Sequence, residues 1–198
     1  LEVLSYGQTI IDFIPDAIGW RLRDVELFRK KTGGAPANVA VGLTRLGHST
    51  GLMCNVGDDE FGHFLREELD REGVDVSGVR FTKEAKTGAA FISLDEHGER
   101  SFLFFREPSA DQTIRTQDVD TDVIKRASIV LAGTNLLIKQ HSRDATHFAL
   151  GTAKEAGRFV ALDPNVRLHL WDDKLDCLTQ VLSIFEYADL IKINDDEL

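Results

Sequence analysis

The feature that most constrains the fold is a regular alternation of short β-rich runs with amphipathic helical stretches. The first such unit has apolar runs at residues 1–6 and 49–56, with a helical stretch at 36–46 between them. Consecutive β-α-β units join parallel strands through right-handed crossovers. The sequence therefore predicts an α/β fold with a mainly parallel sheet and helices on both faces.

The spacing of apolar residues predicts which helix faces are buried. A helix that opens near Pro36 ends at Gly47, and a second helix ends at Gly73, since glycine commonly follows the last helical turn. In the second helix the apolar residues recur at i, i+3, i+4 and i+8, which places them on one face. The inward residues expected are Val39, Leu43 and Leu46 on the first helix, and Phe61, Phe64, Leu65 and Leu69 on the second.

The middle of the chain interrupts this pattern. Strand-like runs at residues 88–94 and 100–105 flank a polar connection that contains His97 and Gly98, which predicts an antiparallel hairpin. Its apolar side chains need a cover or a partner chain. The β-α alternation then resumes, with strands expected at 129–132, 158–162 and 189–193 and helices at about 142–156 and 174–185. A further strand is expected near the N-terminus, at 10–14.

Charge and cysteine content narrow the classes of partner and site. The chain carries 23 Lys plus Arg against 33 Asp plus Glu, a formal net charge of -10, which repels nucleic-acid phosphates and anionic lipids. Nucleic acid and membranes are therefore not expected as partners. Cys54 and Cys177 form no metal-binding pattern, and no apolar run is long enough to span a bilayer. A reducing cytoplasm is the expected location.

Polar residues follow several of the predicted strands. In a parallel sheet, ligands bind in the crevice outside the carboxyl ends of the strands. Each candidate also has a plain structural interpretation: a cap or turn for Asp12, a helix-entry turn for Gly33-Gly34 and a solvated surface charge for an arginine. The loops expected to converge contain Asp12, residues 33–34, residues 133–135, residues 163–167 and residues 194–197.

Several segments together resemble one protein family. Residues 33–62, which read GGAPANVA at their start and VGDDEFG at their end, are similar to the N-terminal signature of ribokinase-like (PfkB-type) carbohydrate kinases. The resemblance is strongest to fructokinases, and it covers the whole chain. The further matching segments are residues 104–111 after the hairpin, residues 163–167 with Leu170-Trp171, and the NxxE pair Asn194 and Glu197.

The resemblance implies a fold and an activity. The fold would be a three-layer α/β/α domain whose N-terminal part is residues 1–198, with a small β-lid formed from about 13–31 and 88–106. The activity would be transfer of the γ-phosphoryl group of ATP to a hydroxyl of a furanose, with D-fructose as the first candidate. The reaction would require Mg²⁺, and a requirement for a monovalent cation such as K⁺ is left open. A homodimer through the lid is also implied.

The resemblance also assigns roles to individual residues. Arg106 and Arg167 would contact the transferring phosphoryl group in the transition state. The sugar would be bound by Asp12, Gly33, Gly34, Asn38 and Arg106, the nucleotide by Asn165, Arg167 and Asn194, and Mg²⁺ by Asn194 and Glu197 through water.

Two alternatives remain open. A 2-keto-3-deoxygluconate kinase shares the DxNxRxxLW pattern, and a non-catalytic fructokinase-like scaffold would keep the fold without turnover. Gln8 and Glu107 depart from the usual residues of the family, which bears on sugar preference. The chain ends in a helix-cap pattern without a helix body, so we expect a longer protein. The resemblance implies that its catalytic base is the aspartate of a GxGD motif beyond residue 198.

Overall fold

The computed structural model describes residues 1–16, 18–95 and 100–197, which form two sheets and their covering helices. The described strands are β1 (Val3–Tyr6), β2 (Ile10–Pro15), β3 (Phe28–Gly33), β4 (Thr50–Gly57), β5 (Asp75–Thr82), β6 (Ala89–Leu94), β7 (Arg100–Phe105), β8 (Ile129–Ala132), β9 (Phe159–Leu162) and β10 (Leu190–Ile191). The described α-helices are α1 (Ala35–Arg45), α2 (Glu60–Arg71), α3 (Thr121–Arg126), α4 (Gln140–Glu155) and α5 (Lys174–Ser183).

The larger sheet has six strands in the order β10-β9-β8-β1-β4-β5, and every pair in it is parallel. The predicted α/β fold with a mainly parallel sheet is confirmed. Because parallel strands have their carboxyl ends at one edge, the loops after β1, β8 and β9 meet there.

The smaller sheet, here called the lid sheet, has the order β3-β2-β6-β7. Strands β6 and β7 pair antiparallel, with Ala89 opposite Phe105 and Ala90 opposite Phe104, so the expected hairpin strands are confirmed. The connection expected around His97 and Gly98 lies outside the described residues.

Hydrophobic cores lie on both faces of the larger sheet. Side chains alternate across a strand, so Leu52 and Cys54 of β4 join the core under α1 and α2, whereas Met53 joins the core under α3 and α4. All eight residues of β4 are buried, as expected for a central strand covered on both sides.

Helix α1 packs with a different face from the one predicted. Leu46 is 77% exposed and serves as the C-cap residue, so its assignment to the inward stripe was wrong. Pro36, Ala37 and Ala40 are the buried residues instead, because their small side chains let the helix lie close to the sheet. The apolar periodicity of α1 therefore predicted the helix correctly, but it predicted the buried face only in part.

Strands β3 and β5 and helix α3 were not assigned from the sequence. Gly78 interrupts the apolar pattern of β5, and α3 is only six residues long. The last strand is also shorter than predicted, covering Leu190–Ile191 rather than 189–193. In the described ranges, no helix is both long and apolar enough to cross a membrane.

Candidate functional site

The first candidate pair lies where the lid sheet joins the larger sheet. Strands β2 and β3 pair antiparallel with Ile10 opposite Gly33, and the Asp12 carboxylate lies directly over Gly33. A Cβ at position 33 would overlap the carboxyl group of Asp12. Two residues of the expected sugar site are therefore adjacent, and glycine is the residue that leaves room for the carboxylate.

Gly34 has a conformational role. It precedes α1 with φ +98°, a value that L side chains rarely adopt, and an added Cβ would lie 2.6 Å from the Gln8 carbonyl oxygen. Its own carbonyl accepts the first helical hydrogen bond, from Asn38 N at 2.9 Å. The second glycine thus allows the helix to start against the backbone that follows β1.

Asn38 lies along the groove between α1 and α2. It is exposed and lines a groove of about 310 Å³ with Lys31, Arg45 and Glu72. Its neighbour Val39 faces the crevice at the carboxyl ends of the strands instead. The expected contact of Asn38 with a sugar hydroxyl stays a prediction.

The loops after β8 and β9 meet at the predicted edge of the sheet. Thr134 Oγ1 donates a hydrogen bond of 2.6 Å to the Pro164 carbonyl, which ties the two loops together. Asn165 has φ +46°, in the left-handed region that asparagine tolerates better than most residues. The polar residues that line the narrow crevice there are Gln8, Asn135, Asp163 and Asn165.

Arg106 is buried, not a solvated edge charge. It is 4% exposed and its guanidinium forms a short ion pair with Asp111, which is 1% exposed. Ser109 Oγ donates to the other oxygen of Asp111 at 2.6 Å. Arg106 Nε has no hydrogen-bond partner among the described residues.

Asp111 was not identified as a site residue from the sequence, although it belongs to the matched segment 104–111. An arginine followed within a few residues by an acidic residue at the end of a strand is the signal that could have found it. The buried carboxylate neutralises Arg106 and fixes its position at the end of β7.

The expected nucleotide and metal residues largely meet in one place. Arg167, Asn194 and Glu197 line a depression of about 690 Å³ together with His169 and Lys174. Asn165, in contrast, lines the neighbouring crevice. The structure thus brings three of the four residues to one depression.

The carboxylate of Glu197 already binds two backbone amides. One oxygen accepts from Val166 N at 2.6 Å and the other from Asn194 N at 3.1 Å, while Asn194 Oδ1 accepts from Glu197 N at 3.0 Å. Within the described part of the chain, no group of three or more His, Cys, Asp or Glu residues could hold a metal directly. Because Mg²⁺ usually keeps several waters, Asn194 and Glu197 fit contact through metal-bound water and not a protein cage.

The VGDDEFG segment builds a structural junction. Asp59 caps α2, accepting from Phe61 N at 3.1 Å and Gly62 N at 2.9 Å, and also accepts from Thr87 N at 2.9 Å and Thr87 Oγ1 at 2.8 Å. A Cβ on Gly62 would overlap the Gly57 carbonyl. Burial acts to raise the pKa of Asp59, but these hydrogen bonds outweigh it, and the pKa lies below its ordinary value.

Comparison with known proteins agrees with this architecture. The family model described as pfkB family carbohydrate kinase matches residues 1–198. The chain is 43% identical over 196 residues to probable fructokinase-4 of Arabidopsis thaliana, covering 99% of this chain and 60% of that protein. It thus spans less than two thirds of the length of this relative.

Solved structures give the same picture. An uncharacterized sugar kinase from Pyrococcus horikoshii, in complex with ATP, has a TM-score of 0.91 and 35% identity, covering 98% of this chain and 64% of that one. A fructokinase from Xylella fastidiosa has a TM-score of 0.90 and 33% identity, covering 99% of this chain and 60% of that one.

Proposed function

The chain belongs to the pfkB family of carbohydrate kinases, and on that basis we propose that it forms the acceptor-binding part of an ATP-dependent fructokinase. The reaction would transfer the γ-phosphoryl group of ATP to a hydroxyl of D-fructose. Similarity to fructokinases over nearly the whole chain supports this choice of sugar. The observation that carries it is the Asp12 carboxylate seated on Gly33 at the junction of the two sheets.

Asp12 would hold the sugar. An ionised carboxylate accepts hydrogen bonds through both oxygens, so it suits two neighbouring hydroxyl groups. Gly33 supports this role by leaving the carboxylate room, and Gly34 supports it by setting the path of the chain between β3 and α1. Asn38 would contribute from the start of α1.

Arg106 and Arg167 would act on the phosphoryl group. Phosphoryl transfer depends mainly on positioning and on neutralising the charge of the transferring group. Arg106 is held in place by its ion pair with Asp111, and Arg167 lines the same depression as Asn194 and Glu197. Asn165 and Asn194 would hold the nucleotide, and Asn194 and Glu197 would orient water bound to Mg²⁺.

When bound, Mg²⁺ would neutralise phosphate charge. We place the catalytic base outside residues 1–198, in keeping with the GxGD motif that the family resemblance implies. Residues 1–198 would then bind and orient the acceptor and one side of the nucleotide. Residues 1–198 would be one part of a single kinase domain, with the lid sheet inserted in it.

We also propose a homodimer through the lid. Strand β7 is the outer strand of the lid sheet, and Phe102, Leu103 and Phe105 on it are between 46% and 59% exposed. Pairing with a second copy would cover these side chains and the free strand edge. Sedimentation of the complete protein tests this, since a monomer at micromolar concentration would contradict it.

The experiment that tests the function measures D-fructose binding by calorimetry in the full-length protein. Losing a buried hydrogen-bonding partner typically costs about 1–3 kcal/mol, so Asp12→Ala should weaken binding roughly tenfold or more. Asp16→Ala is the matched control, because Asp16 ends the same strand region but pairs with Arg29 at the surface, 2.6 Å away.

The outcomes separate the alternatives. Unchanged affinity in Asp12→Ala would argue against the proposed sugar site. Binding of 2-keto-3-deoxygluconate in preference to D-fructose would replace the proposed substrate. Sugar binding without magnesium-dependent phosphorylation in the complete protein would favour a scaffold.

A further inference from the structure

The ring of His169, in the loop after β9, contacts the lid sheet. Its ring stacks on Phe104 of β7, with ring centroids 5.4 Å apart and an interplanar angle of 19°. Phe104 stacks in turn on Phe102, at 5.6 Å and 11°. The three rings form a nearly parallel row that runs from the lid sheet to the loop after β9.

Phe104 lies on the same face of the lid sheet as Asp12. Ala90 of β6 is the register partner of both Asp12 on β2 and Phe104 on β7, and side chains at paired positions share a face. With about 4.8 Å between neighbouring strands, Asp12 and Phe104 are roughly 10 Å apart across the sheet. The face of the lid sheet that carries Asp12, the residue proposed to bind the sugar, is therefore the face that His169 contacts.

The loop that carries His169 also carries the proposed nucleotide residues. Arg167 is two positions earlier, and His169 lines the depression that contains Arg167, Asn194 and Glu197. The loop is tied to residues 194–197 by the hydrogen bond from Val166 N to Glu197, 2.6 Å long. His169 thus belongs both to the loop of the proposed nucleotide site and to the contact with the lid sheet.

We propose that His169 is a positioning residue that couples the lid to the nucleotide-binding loop through its stack on Phe104. This inference rests on the proposed function for the identity of the two ligands. The stack exists when the lid sheet lies against the loop, so a ligand that holds either side in place favours the other side. Such a coupling is reciprocal: the nucleotide strengthens sugar binding by the same factor as the sugar strengthens nucleotide binding.

The opposite face of the lid sheet has its own aromatic contacts. There, Phe13 stacks on Phe91 at 4.7 Å and meets Phe61 of α2 edge to face at 5.8 Å. These rings attach the β2–β6 side of the lid to α2. Phe104 lies on β7, one of the two outer strands of the lid sheet, so the His169 stack attaches that edge of the lid to the loop after β9.

The test is the coupling between D-fructose and adenylyl imidodiphosphate with magnesium, in the full-length protein. Calorimetry gives the fructose affinity with and without this ATP analogue. An aromatic pair contributes enough to change the coupling about two- to tenfold, and His169→Ala should remove that factor. His169→Phe keeps the stack and should retain the coupling.

His63→Ala is the control, because His63 also packs on a phenylalanine, Phe81, with ring centroids 4.3 Å apart, but lies on α2. It should leave the coupling at the wild-type value. An equal coupling factor in wild type and His169→Ala would overturn the proposal.

A second measurement does not require the sugar. Hydrogen exchange in β6 and β7 should slow when the ATP analogue binds to the wild type and should not slow in His169→Ala. If wild type failed to bind D-fructose but showed this difference, the substrate assignment would be wrong and the role of His169 would stand. If the two proteins exchanged alike, the role of His169 would be refuted whatever the sugar.

Discussion

At the scale of single residues, Arg106 and Asp111 form a buried ion pair. Both side chains are almost completely shielded from water, and Ser109 supplies a further hydrogen bond to the carboxylate. Removing ions from water is costly, and the pair offsets that cost only while both partners are present. The end of the lid strand β7 therefore depends on Asp111, which lies outside the lid sheet.

Replacing Asp111 by alanine should lower the free energy of unfolding by about 3–5 kcal/mol, because Arg106 would be left as an uncompensated buried charge. Urea unfolding of the full-length protein measures this. Glu72→Ala is the comparison, since Glu72 pairs with Arg45 at the surface, 2.6 Å away, where water screens the charges. A loss for Asp111→Ala as small as that for Glu72→Ala would contradict the buried-pair interpretation.

At the scale of elements, Asp59 joins the start of α2 to the chain before β6. The same carboxylate accepts hydrogen bonds from two backbone amides of the first helical turn and from both the amide and the hydroxyl of Thr87. Asp120, at the start of α3, accepts only from Asp122 N and Val123 N among the hydrogen bonds described. Asp59 is thus a cap and a tertiary contact, whereas Asp120 is a cap.

Asp59→Ala should cost more stability than Asp120→Ala, for which about 1 kcal/mol is typical of a lost cap. Loss of the Thr87 contacts in Asp59→Ala, but not in Asp120→Ala, is the reason for the difference. Thermal and urea unfolding of both variants at pH 7 measure it. Equal losses would show that the Thr87 contacts add nothing.

Because the pKa of Asp59 is lowered in the folded protein, the free energy of unfolding depends on pH. A carboxyl whose pKa is lower in the folded state contributes stability above its unfolded pKa, near pH 4, and that contribution is lost as the pH falls through the folded value. We expect the wild-type protein to lose stability below about pH 4 more steeply than Asp59→Asn. Parallel pH dependences of the two proteins would refute this.

At the scale of the whole molecule, helix α5 and strand β10 each expose leucine side chains. Leu175, Leu178 and Leu182 on α5 are between 52% and 68% exposed, and Leu190 on the short outer strand β10 is 55% exposed. The three leucines of α5 recur at i, i+3 and i+7, so they form one exposed apolar face, which favours contact with other polypeptide.

Residues 1–198 expressed alone should therefore associate and should not phosphorylate D-fructose. The exposed leucines of α5 provide the reason for association, and the proposed location of the base provides the reason for inactivity. Light scattering and a coupled ATP turnover assay, run beside the full-length protein, measure the two effects. Fructose phosphorylation by residues 1–198 at a rate comparable to the full-length protein would refute the placement of the chemistry.

Local pattern was enough to predict the fold class, and the resemblance of short motifs was enough to predict the family. The β-α alternation follows from side-chain periodicity, which depends on neighbours only a few residues apart. The adjacent glycines 33 and 34 are likewise local, because a positive φ or a missing Cβ is required by the backbone at that position. Residues 75–82 escaped prediction because Gly78 breaks the alternation, and the strand forms by pairing with β4.

Tertiary structure alone decided which side chains meet. The sequence placed Arg106 at the end of a strand and Glu197 in a helix-cap pattern. Its placement of Asp12 at a strand end was wrong, because β2 continues to Pro15, and it did not show that Asp12 rests on Gly33 or that Glu197 binds the amide of Val166. It also could not show that His169 stacks on Phe104. Those contacts join residues far apart in the chain, so they follow from strand pairing and from the packing of loops and sheets, and not from any spacing along the sequence.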